Sequence, residues 1–189
     1  MKDKVLLKAR RDARKEKIIT NCRRAFSDYG IESTSITHLC KYAKVNPKVM
    51  YDFFRNKDEI VIECANRGFN MLSETISKHI IKSDKTLFEN IDSLIDELYS
   101  SKEEVRFLYQ VLISPTYKDK LLPFASSLHA TYEDCKKALV DKYGVDKDKV
   151  EPLFNLFVAV IDCYCLTGNP KFINSAKPYL VEEIKKHIS

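Results

Sequence analysis

The stretch Lys44–Lys57, KVNPKVMYDFFRNK, limits what this chain can fold into more than any other. Asn46 offers the side-chain oxygen of a good helix N-cap, and Pro47 suits the first helical position, where a missing N–H costs nothing. Asn56 is a second cap, with Glu59 as its capping-box partner. Between those caps only a helix of about ten residues fits. Val45, Met50 and Phe54 give it an apolar side, and Lys48, Tyr51 and Asp52 face outward. So short a helix has little stability of its own, so its neighbours must hold it.

Those neighbours can be read from the preceding residues. A first helix runs to Tyr29, with Ile18, Cys22, Ala25, Phe26 and Tyr29 as its buried stripe and Gly30 ending it. Thr34 or Ser35 caps a second helix whose inner face is Ile36, Leu39, Cys40 and Ala43. The chain turns at Lys44 and enters the short helix. Two helices joined this tightly make a helix-turn-helix, with the second as reader. Residues 1–17 form a basic lead-in with Lys8, Arg10, Arg11, Arg14, Lys15 and Lys17. They are either a solvated helix start or frayed tail, or a flexible arm that touches DNA phosphates or the minor groove.

Charge supports the same partner. The 189 residues carry a net +5, but residues 1–60 hold 15 Lys+Arg against 8 Asp+Glu, and the remainder 17 against 19. The basic excess sits in the N-terminal third, which points to a polyanion there. Four glycines and the lack of alternating apolar runs make the chain mostly helical. Val5-Leu6-Leu7 is too short for a secretory core, and no apolar run approaches the roughly 18 residues that span a bilayer. Cys22, Cys40, Cys64, Cys135, Cys163 and Cys165 have neither zinc-site spacing nor disulfide-scaffold density. A cytoplasmic protein with reduced thiols, no metal and no cofactor is expected, with no membrane partner.

Downstream, helical segments are expected at 57–82, 86–100, 103–114, 120–143, 149–167 and 177–188. Ile60, Cys64, Leu72, Ile76 and Ile80 stripe the first of these. Gly144 and Gly168 fall where helix-ending glycines belong, and Pro115, Pro123 and Pro178 mark breaks, kinks or first turns. The expected fold is all-α, in two domains that share the long helix. Residues 1–56 form a three-helix module with the helix-turn-helix, and residues 57–189 the larger helical remainder.

Residues 18–60 resemble the DNA-binding domain of TetR-family transcriptional regulators. The resemblance runs through Ile18, Phe26, Gly30, Thr34-Ser35-Ile36, Leu39, Ala43, Val45, Met50-Tyr51, Phe54, Lys57, Asp58-Glu59 and Ile60, without gaps. It implies that residues 1–56 are a DNA-binding domain and residues 57–189 a helical regulatory domain for ligand binding and dimerisation. It also implies a homodimer built through the last two helices, binding a double-stranded DNA operator and a small-molecule effector of unknown identity. Leu153, Phe154, Leu156, Phe157, Val158, Val160 and Ile161 make helix 149–167 apolar nearly all round. It is therefore buried on more than one side, inside a monomer or against a partner. Two positions depart from the family. Lys44 stands where glycine is common, and strain of about 1 kcal/mol follows if it is left-handed. Asp52 and Phe53 follow Tyr51, where the family often has a phosphate-contacting tyrosine or histidine.

The candidate DNA-binding residues are Thr34, Ser35, Thr37, Lys44, Asn46, Pro47, Lys48, Tyr51 and Lys57. Lys57 sits at a helix N-terminus, where a cation makes sense beside a phosphate held by backbone N–H groups. Thr34, Ser35 and Thr37 suit a second phosphate. Tyr51 offers a hydroxyl or packs, and Asn46, Lys48 and Val49 face base edges, Lys48 reaching guanine. Phe69, Phe107, Tyr109, Phe124, His129, Tyr132 and Tyr164 are candidates for an apolar effector pocket. Gly68 either bends its helix or admits a close neighbour. Cys163 and Cys165, two apart on a helix, read as buried packing side chains. No nucleophile–base pair, phosphate loop or metal spacing suggests an enzyme. The alternative to a ligand-responsive repressor is a co-regulator of the same fold that has lost DNA binding, with Asp52 and Phe53 as its support.

Overall fold

The computed structural model describes residues 2–188, so Met1 and Ser189, the outer ends of the two expected domains, lie outside the description. The fold is all-α. Its helices are α1 (Lys2–Tyr29), α2 (Ile36–Ala43), α3 (Pro47–Tyr51), α4 (Lys57–Ile76), α5 (Leu87–Ser100), α6 (Lys102–Ile113), α7 (Leu122–Asp141), α8 (Lys147–Thr167) and α9 (Pro170–Lys186). A π-helical turn, Ser77–Ile81, extends α4, and a 3-10 turn, Asp119–Leu121, precedes α7. Among the described residues the only β-type pairing is an isolated antiparallel bridge between Val145 and Ile188.

Local chemistry sets most of these limits. The Glu89 N–H donates to the Thr86 hydroxyl while Glu89 accepts from the Thr86 N–H at 3.0 Å, a complete capping box for α5. α9 begins seven residues earlier than expected: Asn169 accepts from the Lys171 N–H at 3.0 Å, and Pro170 takes the first helical position. Pro178, a candidate break, lies inside α9, and Pro152 lies inside α8. Each removes one backbone donor without ending its helix.

The chain forms two compact units, Met1–Gly68 with Phe107–Leu121, and Phe69–Arg106 with Leu122–Ser189. In the first, Ile18, Ile19, Cys22 and Phe26 of α1 are buried, as are Leu39, Met50, Phe54, Ile60 and Cys64. Tyr29, expected in that stripe, is instead half exposed. It sits at the last turn of α1, with its ring against His38 at 4.8 Å and Tyr42 at 5.6 Å. Phe107 stacks on Phe26 with ring centroids 5.6 Å apart. Gln110 accepts from the Ile31 N–H at 3.2 Å and donates to the Ser27 carbonyl at 3.4 Å. A Cβ on Gly68 would lie 3.0 Å from Leu108, so close packing explains this glycine.

In the second unit, Asn90 is fully buried and satisfied: it accepts from the Ser83 hydroxyl at 2.7 Å and donates to the Tyr143 hydroxyl at 3.0 Å. The π-helical turn sets buried His79 against Glu97 at 2.7 Å. α8 packs against α5, α7 and α9. By length and average composition alone it could cross a membrane, but Asn155 and Asp162 break its apolar run well short of that length, as the sequence reading had it. Phe154 and Ile161 on one side are buried, while Leu156 and Leu166 on another are exposed. Cys165 is buried, but Cys163 is exposed, against the expectation for the pair.

Candidate nucleic-acid interface

The turn between α2 and α3 is built on Lys44, the one non-glycine with positive φ among the described residues, at φ 53° and ψ 44°. The Val45 N–H donates back to the Cys40 carbonyl at 3.0 Å, and the Lys44 N–H donates to the Lys41 carbonyl at 3.3 Å. This pair of bonds is a Schellman ending, in which the left-handed residue is usually glycine. Lys44 accepts the strain and leaves its ammonium exposed at the turn.

α3 follows at once. Asn46 accepts from the Val49 N–H at 2.9 Å, and Pro47 opens the helix. At five residues α3 is half the expected length. After Tyr51 the chain tightens, the Phe53 N–H donating to the Met50 carbonyl at 3.1 Å so that Phe54 can enter the core. Pro47, Lys48, Tyr51 and Asp52 are exposed together. Tyr51 is 56% exposed, so packing is not its main role. The oxygen of Asn46 is committed to the cap, leaving its amide hydrogens for any outside partner.

The other candidates divide. Ser35 caps α2, accepting from the His38 N–H at 3.2 Å, and Thr37 is exposed in its first turn. Thr34 turns inward: it is 1% exposed and donates to the Gly30 carbonyl at 2.6 Å. Its hydroxyl braces the turn rather than facing outward, which corrects its place in the phosphate group. At α4 the expected capping box is only half formed. The Glu59 N–H donates to Asn56 at 2.9 Å, but the Glu59 carboxylate accepts from the Arg55 N–H at 2.7 Å. Lys57 is half-buried and donates to the Glu32 carbonyl at 3.4 Å.

Asp58 anchors the same helix start. The Tyr117 hydroxyl donates to it at 2.7 Å and Lys120 at 3.1 Å; these bonds hold its carboxyl below the usual carboxylate range. Burial and Asp58 push the Tyr117 phenol up. Burial also pushes the Cys22 thiol up to about 12, and Cys64 well above its ordinary value, so these buried thiols stay protonated and inert.

Arg11 is the residue that sequence reasoning placed only in a charged run. Its guanidinium donates to the Asp52 carbonyl at 3.1 Å and lies 5.3 Å from the Phe53 ring centre. Phe53 is thus partly covered rather than presented outward. The signal was the spacing of Arg11 and Lys15 on one helical face.

The effector candidates do not converge. Phe107 belongs to the first unit's core on Phe26. Phe69 is buried, and Tyr109 and Phe124 are half-buried. Tyr132 lies edge-on to Phe154 at 5.3 Å, Tyr164 stacks on Tyr99 at 4.2 Å, and His129 is largely exposed near Glu133. A cavity of about 430 Å³ lies between the end of α7, the start of α8 and the end of α9, and none of the seven lines it. Sequence could not separate them, because aromatic content does not say which ring fills a core.

A capped reading helix after a tight turn, at the start of an all-helical chain, defines a helix-turn-helix protein. Residues 18–64 match the family model of bacterial regulatory proteins, tetR family. Over that segment the chain is similar to the DNA-binding domain of TetR-family transcriptional regulators. A Haemophilus influenzae protein described as an uncharacterized HTH-type transcriptional regulator is 24% identical over 174 residues, covering 89% of this chain and 90% of that one. Among solved structures, the chain is similar in fold to Escherichia coli NemR in its reduced form, with TM-score 0.69, 10% identity, and 93% and 98% of the two chains covered. It is likewise similar to PfmR, a TetR-family regulator of Thermus thermophilus, with TM-score 0.67, 15% identity, and coverage of 90% and 95%.

Proposed function

We propose that the protein is a ligand-responsive repressor that binds a palindromic DNA operator as a homodimer and is released by a small-molecule effector. The observation that carries the DNA reading is the exposed surface of α3, where Lys48 and Tyr51 stand on a helix capped by Asn46 and Pro47. In this reading Lys48 touches base edges, and Lys44, Thr37, Tyr51 and Lys57 hold phosphates. Residues 1–56 act as the DNA-binding domain, and 57–189 as the regulatory domain. The DNA partner makes the protein cytoplasmic.

The dimer reading is supported by α8. Pro152, Leu156, Ala159, Cys163 and Leu166 are exposed at alternating spacings of four and three, the pattern of a helix-pairing seam. Phe172 and Tyr179 of α9 are exposed as well. Pairing α8 and α9 with their counterparts would cover these side chains. Effector release works if the ligand prefers the conformation in which the two α3 helices are wrongly spaced.

A salt series of binding measurements on an operator and on random DNA tests the site. Lys57→Ala should weaken both alike and reduce the salt slope, whereas Lys48→Ala should change sequence preference. Equal losses on both DNAs for both variants would remove α3 as the reader. The second reading, a co-regulator without DNA binding, is favoured by exposed Asp52, whose carboxylate would repel phosphate.

A further inference from the structure

From residue 4 to residue 17, α1 carries Lys4, Lys8, Arg10, Arg11, Arg14, Lys15 and Lys17 against Asp12 and Glu16, an excess equal to the whole chain's net +5. Among the described side chains of α1 the first buried one is Ile18, so residues 4–17, roughly 21 Å of helix at 1.5 Å per residue, run past the core. The family match begins at residue 18, so this extension lies outside it. It is helical from Lys2 onward, which decides for a helix over a flexible arm.

The extension is attached near its inner end, where Arg11 and Lys15 hold the face toward α3 and Glu16 pairs with Arg67 of α4. Arg11 donates to the Asp52 carbonyl that ends α3 and covers Phe53. One turn on, Lys15 pairs with Glu63 at 3.0 Å and lies 5.6 Å from the Phe54 ring centre. Lys4, Lys8, Arg11 and Lys15 share one helical face, being four, three and four residues apart. The two anchored cations therefore aim the two outer ones along the side where α3 ends. A major groove is only about 12 Å wide, so a helix of this length beside a groove-bound α3 passes beyond it to neighbouring phosphates.

We propose that the N-terminal extension of α1 is a second DNA-contacting element, in which Lys4 and Lys8 neutralise backbone phosphates flanking the half-site read by α3. This rests on the reading of α3 as the DNA reader. The contact is with phosphate and carries no sequence information, so it lengthens the footprint and steepens the salt dependence without changing the preferred sequence. Val5, Leu6 and Leu7 are also exposed here, and a basic helix with apolar residues is the pattern of a membrane-surface element. Anchoring to the turn that ends α3 favours DNA.

The test is the double variant Lys4→Gln/Lys8→Gln of the full chain, glutamine keeping helix propensity. Binding is measured by anisotropy across a salt series on a duplex recovered by selection, with long flanks and with flanks trimmed to the half-sites. The variant dimer should lose four phosphate contacts, making the log–log salt slope on the long duplex shallower by about 3 to 4. On the trimmed duplex wild type and variant should coincide, and the variant's nuclease footprint should be shorter. Equal slopes and footprints on the long duplex, with wild-type binding intact, would overturn the arm alone. Wild type binding no duplex would overturn the α3 reading and the arm with it. Loss of binding to phosphatidylglycerol–phosphatidylcholine vesicles with an unchanged DNA slope would make the extension a membrane element instead.

Discussion

Lys44 holds a left-handed backbone where glycine would be unstrained, at the corner that sets α3 against α2. The strain is about 1 kcal/mol, partly offset because glycine has more freedom to lose from the unfolded state. Lys44→Gly should therefore raise the melting temperature slightly, and under the proposed DNA contact removing this exposed cation makes the salt slope shallower by about 1 per protomer. Unchanged DNA binding in a stabilised variant would show that the lysine is not retained for phosphate. Asn46→Ala should cost about 1 kcal/mol through loss of its cap. Thr34 illustrates a limit at this scale. Sequence marks Thr34 and Ser35 equally as caps, and only the turn after Gly30 decides that Thr34 faces inward while Ser35 caps.

The helices bring neighbours that no single residue announces. α4 is held at its start by Asp58 and at its middle by Gly68, both through residues 107–121. Because the Asp58 carboxyl is held below its usual range, the folded chain takes up its proton later than the unfolded chain as pH falls. Its contribution is full above the unfolded value near 4 and is lost as pH falls through the lower folded value. With the side chain nearly half exposed, that contribution is about 1 kcal/mol. Thermal melts of wild type and Asp58→Asn should differ by a constant amount from pH 7 to about 5, and the gap should close below about 4. A gap that widens in acid would contradict the sign. Gly68→Ala gains about 1 kcal/mol of helix propensity, but its Cβ meets three atoms of buried Leu108 between 3.0 and 3.2 Å. Overpacking of about 1–3 kcal/mol should outweigh the gain and lower the melting temperature, and the same substitution made in a Leu108→Ala background should cost less. A raised melting temperature would show that Leu108 yields.

Across the whole molecule, what could be read from the sequence was what local chemistry decides. Helix starts at Ser35, Asn46 and Thr86, and the left-handed cost at Lys44, follow from residues within a turn of one another. The π-helical turn, the early start of α9 and the clustering of residues 107–121 with the first unit depend on distant partners, such as Glu97 for His79 and Asp58 for Tyr117. The effector candidates failed to converge for the same reason. Assembly belongs to this scale as well: Leu156→Glu, in the exposed seam of α8, should turn a dimer into a monomer by sedimentation and abolish tight binding to a palindrome. A variant that stays dimeric would place the interface elsewhere. The central claim is that α3 reads DNA, and the most direct measurement is selection of bound fragments from the protein's own genome. The account predicts enrichment of fragments sharing a palindrome, lost in Lys48→Ala; fragments recovered without enrichment over input would contradict it.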